Sequence, residues 1–150
     1  MSGGKRIKLE DLKDFCEKSL VKEGMSVENA RITAEVLSET DAFGTHSHGT
    51  KNLHGYIRKF RVGGMDIKAE PEVVKEGPAF AVVDAKNALG TVSCYKAVEM
   101  ACEKAKQAGI AIVCVKNSSH FGAAGYYANM AAKRGMLGIA LSNVDPNMTV

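Results

Sequence analysis

The stretch that decides the fold is "IAIVCVKNSSHFGAAGYY", residues 110–127. Its first six residues are all apolar, which is long enough for a buried strand and too short for a helix. A polar, glycine-containing loop follows, and beyond it Tyr127, Met130 and Ala131 recur at helical spacing. The stretch therefore predicts a strand, an exposed turn and a helix in direct succession, which is the repeating unit of an α/β protein.

The flanking sequence extends this pattern in both directions. "AFAVVDA" (79–85) predicts a strand, and apolar positions from Val92 to Ala108 predict a helix that Gly109 ends. "LGIALS" (137–142) predicts another buried strand. Strands alternating with helices predict an α/β fold with a mixed, partly parallel sheet.

The sequence before this region predicts helices alone. Three amphipathic segments end before Gly24, near Gly44 and at Gly63–Gly64. Ser26 is the predicted N-cap of the second helix. We therefore predict a helical segment over residues 1–64 and the first part of an α/β domain over 71–150. A terminal apolar strand is normally covered by further chain, so we expect the domain to be incomplete at its C-terminus.

The composition excludes several classes of protein. The 150 residues include 20 basic and 17 acidic side chains that are interspersed, whereas nucleic-acid binding needs a clustered basic face. The apolar runs are too short to span a bilayer, and no signal-peptide core follows the N-terminus. The four cysteines have no CxxC spacing, so no disulfide framework is predicted. We expect a cytoplasmic protein that binds neither nucleic acid nor membranes.

The most unusual motif is "GTHSHG", residues 44–49. His46 and His48 are two residues apart, a spacing that metal sites use, but no third ligand is evident and we predict no metal. In a catalytic interpretation one imidazole exchanges a proton at neutral pH, with Ser47 holding it or binding a substrate oxygen. A polar loop with surface histidines explains the same residues, so both interpretations stay open.

The loop over residues 116–127 is a second candidate site. It follows a strand and begins a helix, which is where ligands bind in parallel α/β sheets, and Gly122 and Gly125 allow a close backbone approach. It is neither a GxGxxG motif nor a Walker loop, and a tight, well-capped loop remains the alternative. After the histidine motif, Lys51 and Asn52 are in reach of a substrate carboxylate, although a solvated helix face explains them equally well.

Three segments together carry a resemblance to a known family: "THSHGTKNLHGY", "NSSHFGAAGYYA" and "GIALSN". In this order and spacing they resemble the type-2 malate/L-lactate dehydrogenases, a family that also includes ureidoglycolate and sulfolactate dehydrogenases. The resemblance covers essentially the whole chain, but members of the family are more than twice as long. It implies a homodimeric oxidoreductase that uses NAD or NADP and a nucleotide-binding fold distinct from the Rossmann fold.

The resemblance also implies roles for individual residues. His48 becomes the proton donor and acceptor at the substrate oxygen, with Ser47 and Gly49 beside the nicotinamide. Residues of the second loop, His120, Phe121 and Gly122, border cofactor and substrate, and His120 is a further catalytic candidate. The remaining assignments are Tyr56 for substrate and the pair Ser142 and Asn143 for cofactor.

One position departs from the family pattern. Many members have an arginine four residues after the catalytic histidine, where it binds the substrate carboxylate, but here that residue is Asn52. Lys51 is a possible replacement, although an ammonium group is a point charge and not a bidentate fork.

The resulting hypothesis is an enzyme that transfers hydride between NAD(P) and a small 2-hydroxy or 2-keto acid such as malate or lactate. The alternative is a non-catalytic N-terminal fragment that serves as a dimerisation and nucleotide-binding module. A metal-dependent hydrolase built on His46 and His48 is a third possibility.

Overall fold

The computed structural model describes residues 6–143. Its first half is helical, as predicted: α1 spans Leu9–Lys22, α2 spans Val27–Ala42 and α3 spans Leu53–Arg61. The Ser26 hydroxyl accepts a hydrogen bond from the Asn29 amide at 3.3 Å, which confirms this residue as the N-cap of α2. Gly63, at a φ of +72°, follows the end of α3 in a left-handed conformation.

The second half is a small α/β unit. Strands β1 (Glu72–Gly77) and β2 (Phe80–Asp84) form an antiparallel hairpin, and β2 is joined to the parallel strand β3 (Ile112–Lys116) through helix α4 (Gly90–Ala108). Helix α5 (Ala124–Ala132) follows β3. The β2–α4–β3 crossover confirms the predicted α/β class and the partly parallel sheet, whose strand order is β1-β2-β3.

Two predictions about the strands are wrong. Residues 110–115 do contribute β3, but this strand lies at the sheet edge and Ile112 is 64% exposed, so it is not buried. Residues 137–142 form no strand: no partner pairs with them among residues 6–143, and Leu137 and Leu141 are 93% and 88% exposed. Apolar composition predicted burial in both places, but burial also requires a second layer that these residues do not find here. Residues 144–150 of the predicted second domain lie outside the described residues.

Helix α2 lies between two hydrophobic clusters. One face packs Ala30, Ala34 and Leu37 with residues of α1 and α3, and the other packs Ile32 and Val36 against Tyr126, Tyr127 and Met130. A buried hydrogen bond of 2.9 Å between the hydroxyls of Thr33 and Thr91 joins α2 to α4. The helical and α/β segments therefore pack against each other through α2. No helix within residues 6–143 is long and apolar enough to cross a membrane.

Glu35 connects three helices and provides the first prediction. Its carboxylate accepts hydrogen bonds from Lys13 on α1 at 3.1 Å and from Tyr126 on α5 at 3.0 Å. Burial alone would raise the pKa of Glu35, but these two hydrogen bonds and the charges of Lys13 and Arg31 outweigh it and hold the pKa below 4.5. The charged form is thus favoured in the folded protein, and the stability it contributes is present above pH 4.5 and is lost as the pH falls below that value.

We therefore expect Glu35→Gln to lower the free energy of unfolding by about 1–2 kcal/mol at pH 7, and the difference from wild type to shrink as the pH falls below 4.5. Urea denaturation at several pH values measures both effects. Glu103→Gln is the matched control, because the Glu103–Lys106 pair is exposed and contributes little. A wild-type-minus-variant difference that does not change with pH would contradict the assignment.

Candidate active site

The histidine motif is held by a carboxylate from the end of α2. The Asp41 Oδ2 atom accepts hydrogen bonds from the Thr50 amide at 2.9 Å and from the Thr50 hydroxyl at 2.5 Å, and its Oδ1 atom lies 3.2 Å from Nδ1 of His46. Two short 3₁₀ turns, His46–His48 and Thr50–Asn52, carry the chain around this carboxylate into α3. Gly49 is buried, and a Cβ atom there would overlap Asp41. The absence of a side chain at Gly49 is thus required by the packing of the loop.

This arrangement separates the two histidines of the motif. His46 points to Asp41 and its side chain is 75% exposed. His48 instead has its Nδ1 atom 2.8 Å from the Ser47 hydroxyl. Because Ser47 occupies Nδ1, the Nε2 atom of His48 is the nitrogen left to exchange a proton with a bound molecule.

The fold brings His120 next to His48. The two imidazole rings stack with centroids 5.5 Å apart and an interplanar angle of 30°. His120 is carried by the loop between β3 and α5, and the Ser119 hydroxyl fixes this loop by accepting from the Gly90 amide and donating to the Ala88 carbonyl. Ser119 does not cap the helix that follows it: the N-cap of α5 is Ala123, and the Ser119 hydroxyl bonds to the start of α4. The serine thus positions His120.

Tyr56 fixes the orientation of the His120 ring. Its hydroxyl lies 2.6 Å from Nδ1 of His120. Burial raises the pKa of Tyr56 well above its usual range, so the hydroxyl keeps its proton, and we assign it as the hydrogen-bond donor to Nδ1. Partial desolvation, followed by the charges of His48 and Lys59, lowers the pKa of His120 below 6.5. His120 is therefore a neutral imidazole at pH 7, with its proton on Nε2 as a hydrogen-bond donor.

A cavity of about 260 Å³ lies beside the Tyr56 and His120 rings and is lined by Asn52, Gly55, Tyr56, Lys59 and His120. It is smaller than the ~300–1,000 Å³ typical of pockets for drug-sized ligands, so it suits a small acid and cannot enclose a dinucleotide. Lys51 and His46 line a different cavity of about 540 Å³, next to Leu9 and Leu12 of α1. The structure thus brings Tyr56, Asn52 and His120 together and places Lys51 elsewhere.

The side chain of Asn52 is engaged by the backbone of the motif. Its Nδ2 atom donates to the carbonyl oxygens of Ser47 at 3.0 Å and of Gly49 at 3.2 Å. Asn52 therefore stabilises the turn that carries His48.

Known proteins resemble this chain in sequence and in fold. A sequence profile of the malate/L-lactate dehydrogenase family matches residues 7–150. The chain belongs to the malate/L-lactate dehydrogenase family. A malate dehydrogenase of Pyrococcus abyssi is 41% identical over 94% of this chain and 39% of its own length. An NAD(+) ureidoglycolate dehydrogenase of Escherichia coli K12 is 35% identical over 94% of this chain and 40% of its own length.

A solved structure extends the similarity to three dimensions. The malate dehydrogenase of Pyrococcus horikoshii OT3 superposes with a TM-score of 0.84 and 39% identity, over 87% of this chain and 38% of that one. This chain therefore spans about two fifths of the length of these malate/L-lactate dehydrogenase family members.

Dehydrogenases of this family imply a nicotinamide cofactor, and the described residues fit its reacting end. His120 is exposed and lines the cavity, Ser47 is exposed next to His48, and the stacked imidazoles offer polar edges and a flat surface to a planar ring. Two other predicted cofactor residues pack against the protein interior. The Phe121 ring stacks on Tyr127 with ring centroids 5.2 Å apart, and a Cβ atom at Gly122 would lie 3.5 Å from Val36. Ser142 and Asn143 are exposed. Within residues 6–143 we identify no site for the adenosine end of the cofactor.

The third ligand that a metal site would need is not found near the motif. Within residues 6–143, no group of three or more His, Cys, Asp or Glu side chains is arranged to hold a metal ion.

Two residues of the site, Asp41 and Lys59, were not predicted from the sequence. Asp41 supports a prediction about stability. Asp41→Ala removes the acceptor of the Thr50 amide, so we expect a loss of about 1–2 kcal/mol in the free energy of unfolding, as for a lost helix cap. His46→Ala is the control, because an exposed pair contributes less than about 1 kcal/mol. Urea midpoints of the two variants measure the difference, and equal midpoints would show that Asp41 acts only through His46.

Proposed function

We propose that the protein is an oxidoreductase that transfers hydride between NAD or NADP and a small 2-hydroxy or 2-keto acid of the malate or lactate type. The observation that carries this proposal is His120, which lines a cavity sized for a small acid and on whose ring His48 stacks. Membership of the malate/L-lactate dehydrogenase family supports it, as do the names of the relatives. We further propose a cytoplasmic homodimer, as the resemblance implies.

His48 is the proposed catalytic acid and base. A bound nicotinamide supplies the hydride acceptor or donor, and the protein must then take or give the hydroxyl proton. The Nδ1–H group of His48 can donate to the Ser47 hydroxyl while its Nε2 atom accepts the substrate proton. A histidine can carry out this exchange near neutral pH. In the reverse direction the His48 imidazolium returns the proton to the developing alkoxide.

His120 is the proposed second contact to the substrate oxygen. As a neutral ring that accepts a hydrogen bond from the Tyr56 hydroxyl at Nδ1, it presents Nε2–H to the cavity. A fixed hydrogen-bond donor at the oxygen where charge develops lowers the barrier, because it needs no reorganisation during the reaction. Tyr56 is then a positioning residue that fixes the tautomer and angle of His120.

The experiment is an assay of the protein expressed from its complete reading frame. Malate, L-lactate, sulfolactate and ureidoglycolate would each be supplied with NAD and with NADP, and reduced cofactor would be followed by absorbance. We expect turnover with at least one acid and one cofactor. Turnover of none of them would contradict the proposal.

The same cofactors added to the 150-residue chain test the alternative module. Nicotinamide fluorescence reports binding, and sedimentation reports the oligomeric state. Binding and dimerisation by the 150-residue chain, together with no turnover of any acid by the complete protein, would favour a non-catalytic dimerisation and nucleotide-binding module.

A further inference from the structure

One face of α3 is directed into the small cavity. Asn52, Tyr56 and Lys59 follow each other at intervals of four and three residues, so they lie one above the other on the same side of the helix. Gly55 lies between them and leaves the cavity wall open, because it has no side chain to fill the space. The cavity is therefore bounded by this helical face on one side and by His120 on the other.

Lys59 is the cation of this cavity. The other lining residues are an amide, a glycine, a protonated phenol and a neutral imidazole, so the charge of the pocket comes from the Lys59 ammonium group. Among residues 6–143 no carboxylate forms an ion pair with Lys59, in contrast to Arg61 on the same helix, which pairs with Glu23. An ammonium group that borders a small concave site without a counter-ion favours an anionic ligand.

The other polar groups near the motif are less available for an anion. The Nδ2 atom of Asn52 donates to two backbone carbonyls. Lys51 lines a different cavity, which it shares with the Asp41 carboxylate.

We propose that Lys59 binds the carboxylate of the 2-hydroxy acid and thereby selects carboxylate substrates for this site. This inference rests on the function proposed above. A 2-hydroxy acid has its carboxylate and its hydroxyl on neighbouring carbons, so both groups fit within one small cavity. With the carboxylate on Lys59, the hydroxyl carbon remains on the side of the cavity that His120 borders. The ammonium group contributes a single charge-assisted hydrogen bond and no bidentate fork, so recognition depends more on charge than on planar geometry.

The kinetic test compares four variants of the complete protein. We expect Lys59→Gln to lower kcat/KM for L-lactate or malate by about 10- to 100-fold, which is the effect of one charge-assisted hydrogen bond. Lys59→Arg should retain most of the wild-type kcat/KM, because it keeps the positive charge. For the uncharged analogue lactamide, kcat/KM should fall less than about 3-fold in Lys59→Gln, because lactamide makes no ion pair with Lys59. Arg58→Gln is the matched control, since it removes one positive charge from an exposed neighbour that does not line the cavity. An equal loss in Lys59→Gln and Arg58→Gln, or a loss seen with Lys51→Gln and not with Lys59→Gln, would overturn the assignment.

A binding measurement keeps the test independent of turnover. The probe is oxamate, a small carboxylate, and the His120 ring protons are followed by NMR in the complete protein. We expect a saturable shift in the wild type and a 10-fold or greater weakening in Lys59→Gln. Absence of the shift in the wild type would reject the role of Lys59 even if an acid is turned over. A normal shift without turnover of any acid would reject the proposed reaction and leave the anion site in place.

Discussion

His48→Ala is expected to lower kcat about 10²- to 10⁴-fold in the complete protein, while its affinity for reduced cofactor changes less than about 3-fold. The reason is that the His48 Nε2 atom is the proposed site of proton exchange, and a positioned acid or base typically contributes a factor of this size. Steady-state kinetics give kcat, and a fluorescence titration with NADH or NADPH gives the affinity.

A second histidine on the same segment provides the control for this variant. His54 is exposed on α3, and its ring contacts only the backbone carbonyl of Lys51. We expect His54→Ala to keep kcat within about 2-fold of wild type, since exposed surface substitutions rarely matter. Wild-type kcat in His48→Ala would assign the acid–base role to another residue.

Among Gly→Ala substitutions within residues 6–143, Gly90→Ala is expected to cause the largest loss of stability. A Cβ atom at this position would lie 2.7 Å from the His120 carbonyl oxygen and would overlap that of Ser119. Backbone atoms cannot move aside as a flexible side chain can, so we expect a loss of about 3 kcal/mol or more in the free energy of unfolding. This corresponds to a decrease of roughly 6–12 °C in Tm for a protein of this size.

The control is the same substitution at Gly125. This residue lies in the first turn of α5, and an added Cβ there meets nothing within 4 Å. Because alanine is the better helix former, Gly125→Ala should leave Tm unchanged or raise it slightly. Differential scanning calorimetry of both variants checks the contrast, and equal Tm values would mean that the loop around His120 relaxes without cost.

The predictable parts of the fold were those with a strong local pattern. Helices α1 to α5 and the β2–α4–β3 crossover follow from apolar periodicity together with Ser26 and the glycines that end helices. Strand β1 was missed because Glu72, Lys75 and Glu76 give it no apolar face, and it exists through its pairing with β2. The segment 137–142 shows the opposite error, since its apolar residues have no strand to pair with among the described residues.

The candidate site was predictable to a similar extent. Ser47, His48 and His120 were selected by their motifs and by the family resemblance, and the structure brings His48 and His120 into contact. Asp41 and Lys59 were not selected, because an acid at a helix end and a lysine on a polar helix face are ordinary in sequence. Their importance depends on which side of the backbone they occupy, and tertiary packing decides that.

The contact between Tyr56 and His120 has a consequence for the order in which the protein folds. These residues are 64 positions apart, whereas the helices on either side form from neighbours in sequence. Closing so long a loop costs chain entropy before any contact compensates it, so local helices form early and the imidazole pair forms when the two segments dock. A chain whose docking is loosened would retain its helical signal while the two imidazoles separate. We therefore expect the site to be lost before the secondary structure when this protein unfolds.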